Sequence, residues 1–211
     1  MQKLLLFILL FLAAGCEHAD QKDKYIMHDD FYYIEDGRFY LEEIANEYFV
    51  IVKQDRQEYV IDQLLQKGFK LIGQPYAWNV PNMANHGSLD EISDCVVFTV
   101  KGDQNIASIT DIVYSNNLYL TSAGDKVGSS IESNTFMVKL SKEDKDGQIE
   151  RLRTLAIQHG YLLIGEMSRD YFKLACTNRT AGNNVEMSNW FIEVAGFDAA
   201  QPILSQPDIA F

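Results

Sequence analysis

The chain has 211 residues, 47% of them hydrophobic and 12% aromatic, enough for one large or two small domains with a packed core. Its formal net charge is −12 without a Lys/Arg cluster, which excludes nucleic acid and anionic lipid surfaces as partners for its body. No segment after residue 15 is long and apolar enough to cross a bilayer as a helix.

The first predicted element is a leader. Lys3 precedes an unbroken apolar run from Leu4 to Leu12, and Ala13, Ala14 and Gly15 lead into Cys16. Such a run is too short for a stable membrane span and has the length of a secretory signal core. Small residues directly before a cysteine resemble the lipobox of bacterial lipoproteins, with one departure: Ala13 stands three before the cysteine, and Leu12 one further back. The resemblance implies a signal peptide over residues 1–15 and lipidation of Cys16. It also implies a cell-envelope address on the outer or cytoplasmic membrane, periplasmic or surface-exposed. The alternative is an ordinary signal peptide in which Cys16 is incidental. Residues 16–30, polar from Glu17 to Lys24, read as a tether.

Next comes Phe31-Tyr32-Tyr33-Ile34, then Glu35-Asp36-Gly37, then Arg38-Phe39-Tyr40-Leu41. Two aromatic, strand-favouring runs around an Asp-Gly predict a β-hairpin, within residues 31–47. The rest is written twice, over residues 48–123 and 135–204, with a polar, Gly/Ser-rich linker or hairpin at 124–134. In the first copy Val50 to Lys53 is a strand, Val60, Ile61, Leu64 and Leu65 mark a helix face, Gly68 caps it, and Phe69-Lys70-Leu71-Ile72-Gly73-Gln74 starts a new strand. In the second copy the counterparts are Phe136 to Lys139, then Ile149, Leu152, Leu155 and Ala156, then Gly160, then Tyr161-Leu162-Leu163-Ile164-Gly165-Glu166.

Each copy continues in one order. The first has Cys95 to Val100, a helix carrying Ile106, Ile109 and Val113, then Leu118 to Leu120. The second has Tyr171 to Cys176, a helix carrying Met187, Phe191 and Val194, a cap at Gly196, then a strand from Phe197 to Ala200. The order β-α-β-β-α-β predicts an α+β protein of two tandem ferredoxin-like units, each an antiparallel sheet with two helices on one face, preceded by a hairpin.

Candidate chemistry is sparse. Of four histidines, His18 falls in the tether, His28 before the hairpin, His86 in a loop and His159 at a helix end, where a positive charge is favoured. His28-Asp29-Asp30 is a weak metal candidate that reads more simply as a solvated stretch. His86-Gly87-Ser88 and Gly128-Ser129-Ser130 lack the strand-turn-helix context of a nucleophile elbow. Cys95 and Cys176 either pair, as an oxidising envelope permits, or lie buried as free thiols. Tyr76, Trp78 and Trp190 either line a sugar or peptide groove or belong to the core. Asn178-Arg179-Thr180 reads as a turn. No metal, cofactor or catalytic residue is assigned, and the expectation is a protein without enzymatic activity.

Three stretches carry a resemblance: residues 31–41, Asn134-Thr135-Phe136-Met137-Val138-Lys139-Leu140, and Leu174-Ala175-Cys176-Thr177 through Gly182-Asn183-Asn184-Val185-Glu186-Met187-Ser188-Asn189. They resemble the N-terminal, propeptide-like region of subtilisin-like serine proteases of the Bacteroidetes, over about residues 31–201. The protease's Asp, His and Ser are absent before Phe211. Gln201-Pro202-Ile203, with Gln206-Pro207-Asp208 beyond it, stands where that family has Glu-Pro-Asp. The resemblance implies a ferredoxin-like fold and a partner, a subtilisin-like protease that the chain binds, inhibits or helps to fold. It also implies a tail of Ser205, Gln206, Pro207, Asp208, Ile209, Ala210 and Phe211 that adds as a strand to the enzyme's cleft. Phe211 suits an apolar pocket and Ala210 a shallow one, whereas Asp208 suits neither; a frayed terminus is the alternative. Two other functions stand beside this one: a surface module that holds a glycan or peptide, and an inactive remnant of a protease gene.

Overall fold

The computed structural model describes residues 27–34, 37–78, 94–121, 126–127, 134–168 and 170–204. The protein is α+β, with two antiparallel sheets and, among the described residues, three α-helices. The signal peptide, Cys16, His18, His86, the Ser129 and Ser130 pair and the tail Ser205 to Phe211 lie outside the described residues.

The predicted hairpin is present. Strand β1 (Phe31–Ile34) pairs with the start of β2 (Gly37–Lys53), placing Phe31 opposite Tyr40 and Tyr33 opposite Arg38. Strand β2 is longer than predicted and runs on to Lys53. Its ladder with β6 (Ile112–Thr121) shifts register between Ile44 and Tyr48. Asn46 sits there at φ 64°, a left-handed conformation asparagine tolerates, as at a β-bulge. Its carbonyl accepts from the Gly102 N–H at 2.9 Å, and its amide donates to Asp103 at 2.6 Å.

Beyond β2 come α1 (Gln57–Gln66), β3 (Lys70–Leu71), β4 (Tyr76–Trp78) and β5 (Cys95–Lys101). The predicted strand over 69–74 is broken: β3 and β4 both pair with β5, and the chain bulges between them. Pro75 cannot donate to a ladder there, and a Cβ on Gly73 would stand 2.6 Å from Thr99 Oγ1. The helix expected around Ile106, Ile109 and Val113 is only a 3-10 turn, Ile106–Ser108. Asn105 caps it by accepting from the Ala107 N–H at 2.9 Å, and the Ser108 hydroxyl bonds back to the Asn105 carbonyl. A segment of Ser, Thr, Asp and β-branched residues prefers such local bonds to a longer helix. Val113 belongs to β6 instead. A short β7 (Lys126–Val127) pairs with β6.

The second half holds β8 (Thr135–Lys139), α2 (Lys145–His159), β9 (Leu162–Ser168), β10 (Tyr171–Ala175), α3 (Asn184–Glu193) and β11 (Ala200–Pro202). The last strand begins three residues later than predicted, because Phe197 turns into the core. The strand orders correspond. The first sheet has seven strands in the order β3-β5-β2-β6-β7, with β1 on β2 and β4 on β5; its β3-β5-β2-β6 part matches the second sheet, β9-β10-β8-β11. Every pairing is antiparallel.

The expected two-layer arrangement does not hold for the first sheet, which is covered on both faces. Alternate residues divide it: Val50, Val52, Val96, Phe98 and Val100 pack with Val60 and Leu64 of α1, while Phe49, Ile51, Cys95 and Val97 join Phe136, Leu174, Trp190 and Phe191 of the second half. A strand buried on both faces needs an unbroken apolar run, which explains residues 48–52 and 95–98.

Candidate functional site

The two halves meet along a seam formed by β6 and the loop from Cys176 to Asn183. The loop folds on itself first. Thr177 and Thr180 both donate their hydroxyls to the Gly160 carbonyl, at 3.1 and 3.2 Å, and Thr180 Oγ1 accepts from the Thr177 N–H at 2.8 Å. Asn178-Arg179-Thr180 is thus a turn, as predicted. Asn178 then ties it across the seam: its N–H donates to the Val113 carbonyl at 2.9 Å and its side-chain amide to the Ile112 carbonyl at 3.2 Å.

Asn183 ends the loop and starts α3 with a capping box. Its side-chain oxygen accepts from the N–H groups of Val185 and Glu186, both at 2.9 Å, and Glu186 accepts from the Asn183 N–H at 2.7 Å. The Asn183 amide also donates to Tyr119 Oη at 3.2 Å, and that hydroxyl donates to Asp29 at 3.2 Å. Burial, with Asp29 adding, holds the Glu186 carboxyl above the usual carboxylate range. Further along α3, Asn189 donates to the carbonyls of His28 and Phe31, so the start of the hairpin is clipped to the second half.

The seam leaves a groove in two halves that share Ile112, Thr177 and Asn178. The first half, about 440 Å³, has a floor of Ile106, Ile109, Ile112 and Tyr114 and a neutral polar rim that includes Ser115 and Asn183. The second, about 450 Å³, is charged: Lys53 and Arg56 from one segment and Arg179 from another line it, beside Asp55 and Asp111. Both volumes fall in the range of small-ligand sites. Asp111 at the groove and Asp94 beyond its charged end have left-handed backbones, at φ 64° and 48°. Tyr114 is buried with its hydroxyl outside hydrogen-bonding geometry, although the Asn184 backbone N–H bears on it; burial pushes its pKa far up.

The other sequence candidates fall elsewhere. His28 lies 4.0 Å from Asp30 and 5.6 Å from the Phe31 ring, and no group of three or more His, Cys, Asp or Glu that could hold a metal occurs among the described residues. His159 packs against Trp190 with the rings tilted by 51° and their centres 4.4 Å apart, and burial lowers its pKa. Cys95 and Cys176 are buried and form no disulfide; burial pushes the Cys95 thiol up to about 11 and Cys176 well above its usual value. Trp190 is 8% exposed and belongs to the core, and Tyr76 packs against the same core. Sequence reading did not find the groove. Its residues come from three separate segments, 53–56, 106–115 and 177–183, and the one local signal, the capping-box spacing of Asn183 and Glu186, marks a helix start rather than a cavity.

The chain matches no protein-family model, no curated protein and no solved structure.

Proposed function

We propose that this chain is a non-catalytic cell-envelope lipoprotein of the subtilisin-propeptide type, which binds and restrains a subtilisin-like serine protease. The observation that carries the reading is the strand order. The second sheet runs β11-β8-β10-β9, and within the seven-stranded first sheet β6-β2-β5-β3 run in the matching antiparallel order, the one a ferredoxin-like β-α-β-β-α-β unit requires. The second half adds a helix in each crossover, α2 and α3. The first half departs from the pattern, with a 3-10 turn in place of its second helix.

In this reading Cys16 carries the lipid, residues 16–30 hold the fold off the membrane, and Ser205 to Phe211 follow β11 in sequence. The tail pairs with an enzyme edge through main-chain hydrogen bonds. The test is co-elution in size-exclusion chromatography of the full chain with an active-site-inactivated subtilisin-like protease. The proposal predicts a complex that weakens when Ser205 to Phe211 is deleted. Separate elution at micromolar concentrations of both proteins would overturn it.

A further inference from the structure

Residues 27–30 form a strap that leads into β1 and lies against α3. It is tied from three elements. Asn189 of α3 donates to the His28 and Phe31 carbonyls at 3.0 and 2.6 Å, the Leu41 N–H of β2 donates to the Asp30 carbonyl at 2.8 Å, and Tyr119 of β6 donates to Asp29 at 3.2 Å. The last of these belongs to a longer chain. Tyr119 Oη also accepts from the Asn183 amide at 3.2 Å, and the Asn183 N–H donates to Glu186 at 2.7 Å. One short run of hydrogen bonds therefore links a carboxylate of the strap to a carboxylate of α3.

Seating the strap is unfavourable for the charge on Glu186. Met27 closes over that side chain: a Cβ on Gly182 would stand 2.6 Å from Met27 Sδ and 2.8 Å from Glu186 Oε2. The strap thus takes water from Glu186 and brings the charge of Asp29 to bear on it, and both effects oppose its ionisation. The surrounding groups do not offset them. Glu43 of β2 bears on Tyr119, the Cys176 thiol bears on Glu186, and on the strap itself the exposed His28 and Asp30 stand 4.0 Å apart. At the far end of α3, Glu193 accepts from Tyr33, to which Arg38 also donates. Among the described residues, no lysine or arginine bears on Glu186.

We propose that the strap is a pH-gated latch, which sits on α3 while Glu186 is protonated and lifts more readily once Asp29 and Glu186 are both charged. An acid that is harder to ionise in the closed state stabilises that state while protonated. The contribution is complete below the value of the exposed carboxyl and is lost as pH rises through the closed-state value. Lifting parts the start of the hairpin from α3 and leaves the core shared by the two halves in place.

Amide exchange of Leu41 reads the strap directly, because that N–H is bonded to it. It is followed by NMR on the full chain in mild detergent and corrected for the pH dependence of intrinsic exchange. Between about pH 4 and about pH 8 the protection of Leu41 is expected to fall roughly threefold, the size of one partly exposed charge pair. Ile51, buried at the centre of β2, stays more protected throughout. Glu186→Gln keeps an acceptor for the Asn183 N–H, and Asp29→Asn keeps one for Tyr119; each is expected to flatten the profile, and the two together no further. The wild-type profile needs no variant at all. Protection that is independent of pH or rises with it, a step that survives in either variant, or Leu41 as protected as Ile51 would each overturn the proposal.

Discussion

His159 ends α2, where the helix dipole favours a proton, yet its ring packs at a tilt against Trp190 and is partly removed from water. Desolvation wins, and the pKa falls below the ordinary histidine value of about 6.5. A base with a depressed folded pKa stabilises the fold while neutral. That contribution is complete above the unfolded pKa and is lost as pH falls through the folded one. In a Trp78→Phe background, which leaves Trp190 as the emitter, we expect emission to titrate with a midpoint below that of a free histidine, and His159→Gln to abolish the step; a midpoint above 6.5 would contradict the burial. The sequence placed His159 at a helix end but could not show Trp190 opposite it, because the two lie 31 positions apart and meet only once α3 has packed. The cysteines show the same limit: their apolar surroundings were legible, whereas whether they faced each other was not.

Helix ends were the most legible elements. Gly68, Gly160 and Gly196 were read as caps, and all three have positive φ. Gly160 is the most constrained, since at φ 74° a Cβ would also stand 2.5 Å from the Arg179 carbonyl oxygen. Gly160→Ala is therefore expected to destabilise by about 2 kcal/mol or more, from backbone strain and from pushing the seam turn away. Chemical denaturation reads the loss, and a change below about 0.5 kcal/mol would show that the turn yields freely. The face of α1 was also legible: Val60 and Leu64 are buried as expected, although Leu65 is half-exposed. The second helix of the first half was not. The spacing of Ile106 and Ile109 suits a 3-10 turn as well as an α-helix, and the Asn105 cap, Ser108 and the left-handed Asp111 decide for the turn. Edge strands suffered most, because β3 and β4 take their register from β5 rather than from their own pattern.

At the scale of the whole molecule, an α+β fold with antiparallel sheets was legible in the sequence, and the packing of one half on the other was not. The clue was present: residues 48–52 and 95–98 are apolar at every position, and a sheet with one solvated face alternates instead. Because Phe49, Ile51 and Val97 share a core with Phe136, Leu174 and Phe191, the two halves should unfold together. Far-ultraviolet dichroism and Trp190 emission are expected to report one coincident transition, and two separated transitions would contradict the shared core. The seam that this packing creates is also the origin of the groove, which is why no single segment announces it.

The proposal of a tethered protease ligand rests on the antiparallel order that β2, β3, β5 and β6 share with β8, β9, β10 and β11. Its most direct test is kinetic: a subtilisin-like protease is preincubated with increasing amounts of the full chain, and hydrolysis of a chromogenic peptide is followed. The account predicts stoichiometric, saturable inhibition that deletion of Ser205 to Phe211 relieves. Undiminished hydrolysis at a large excess of the chain, or steady digestion of the chain as an ordinary substrate, would contradict it.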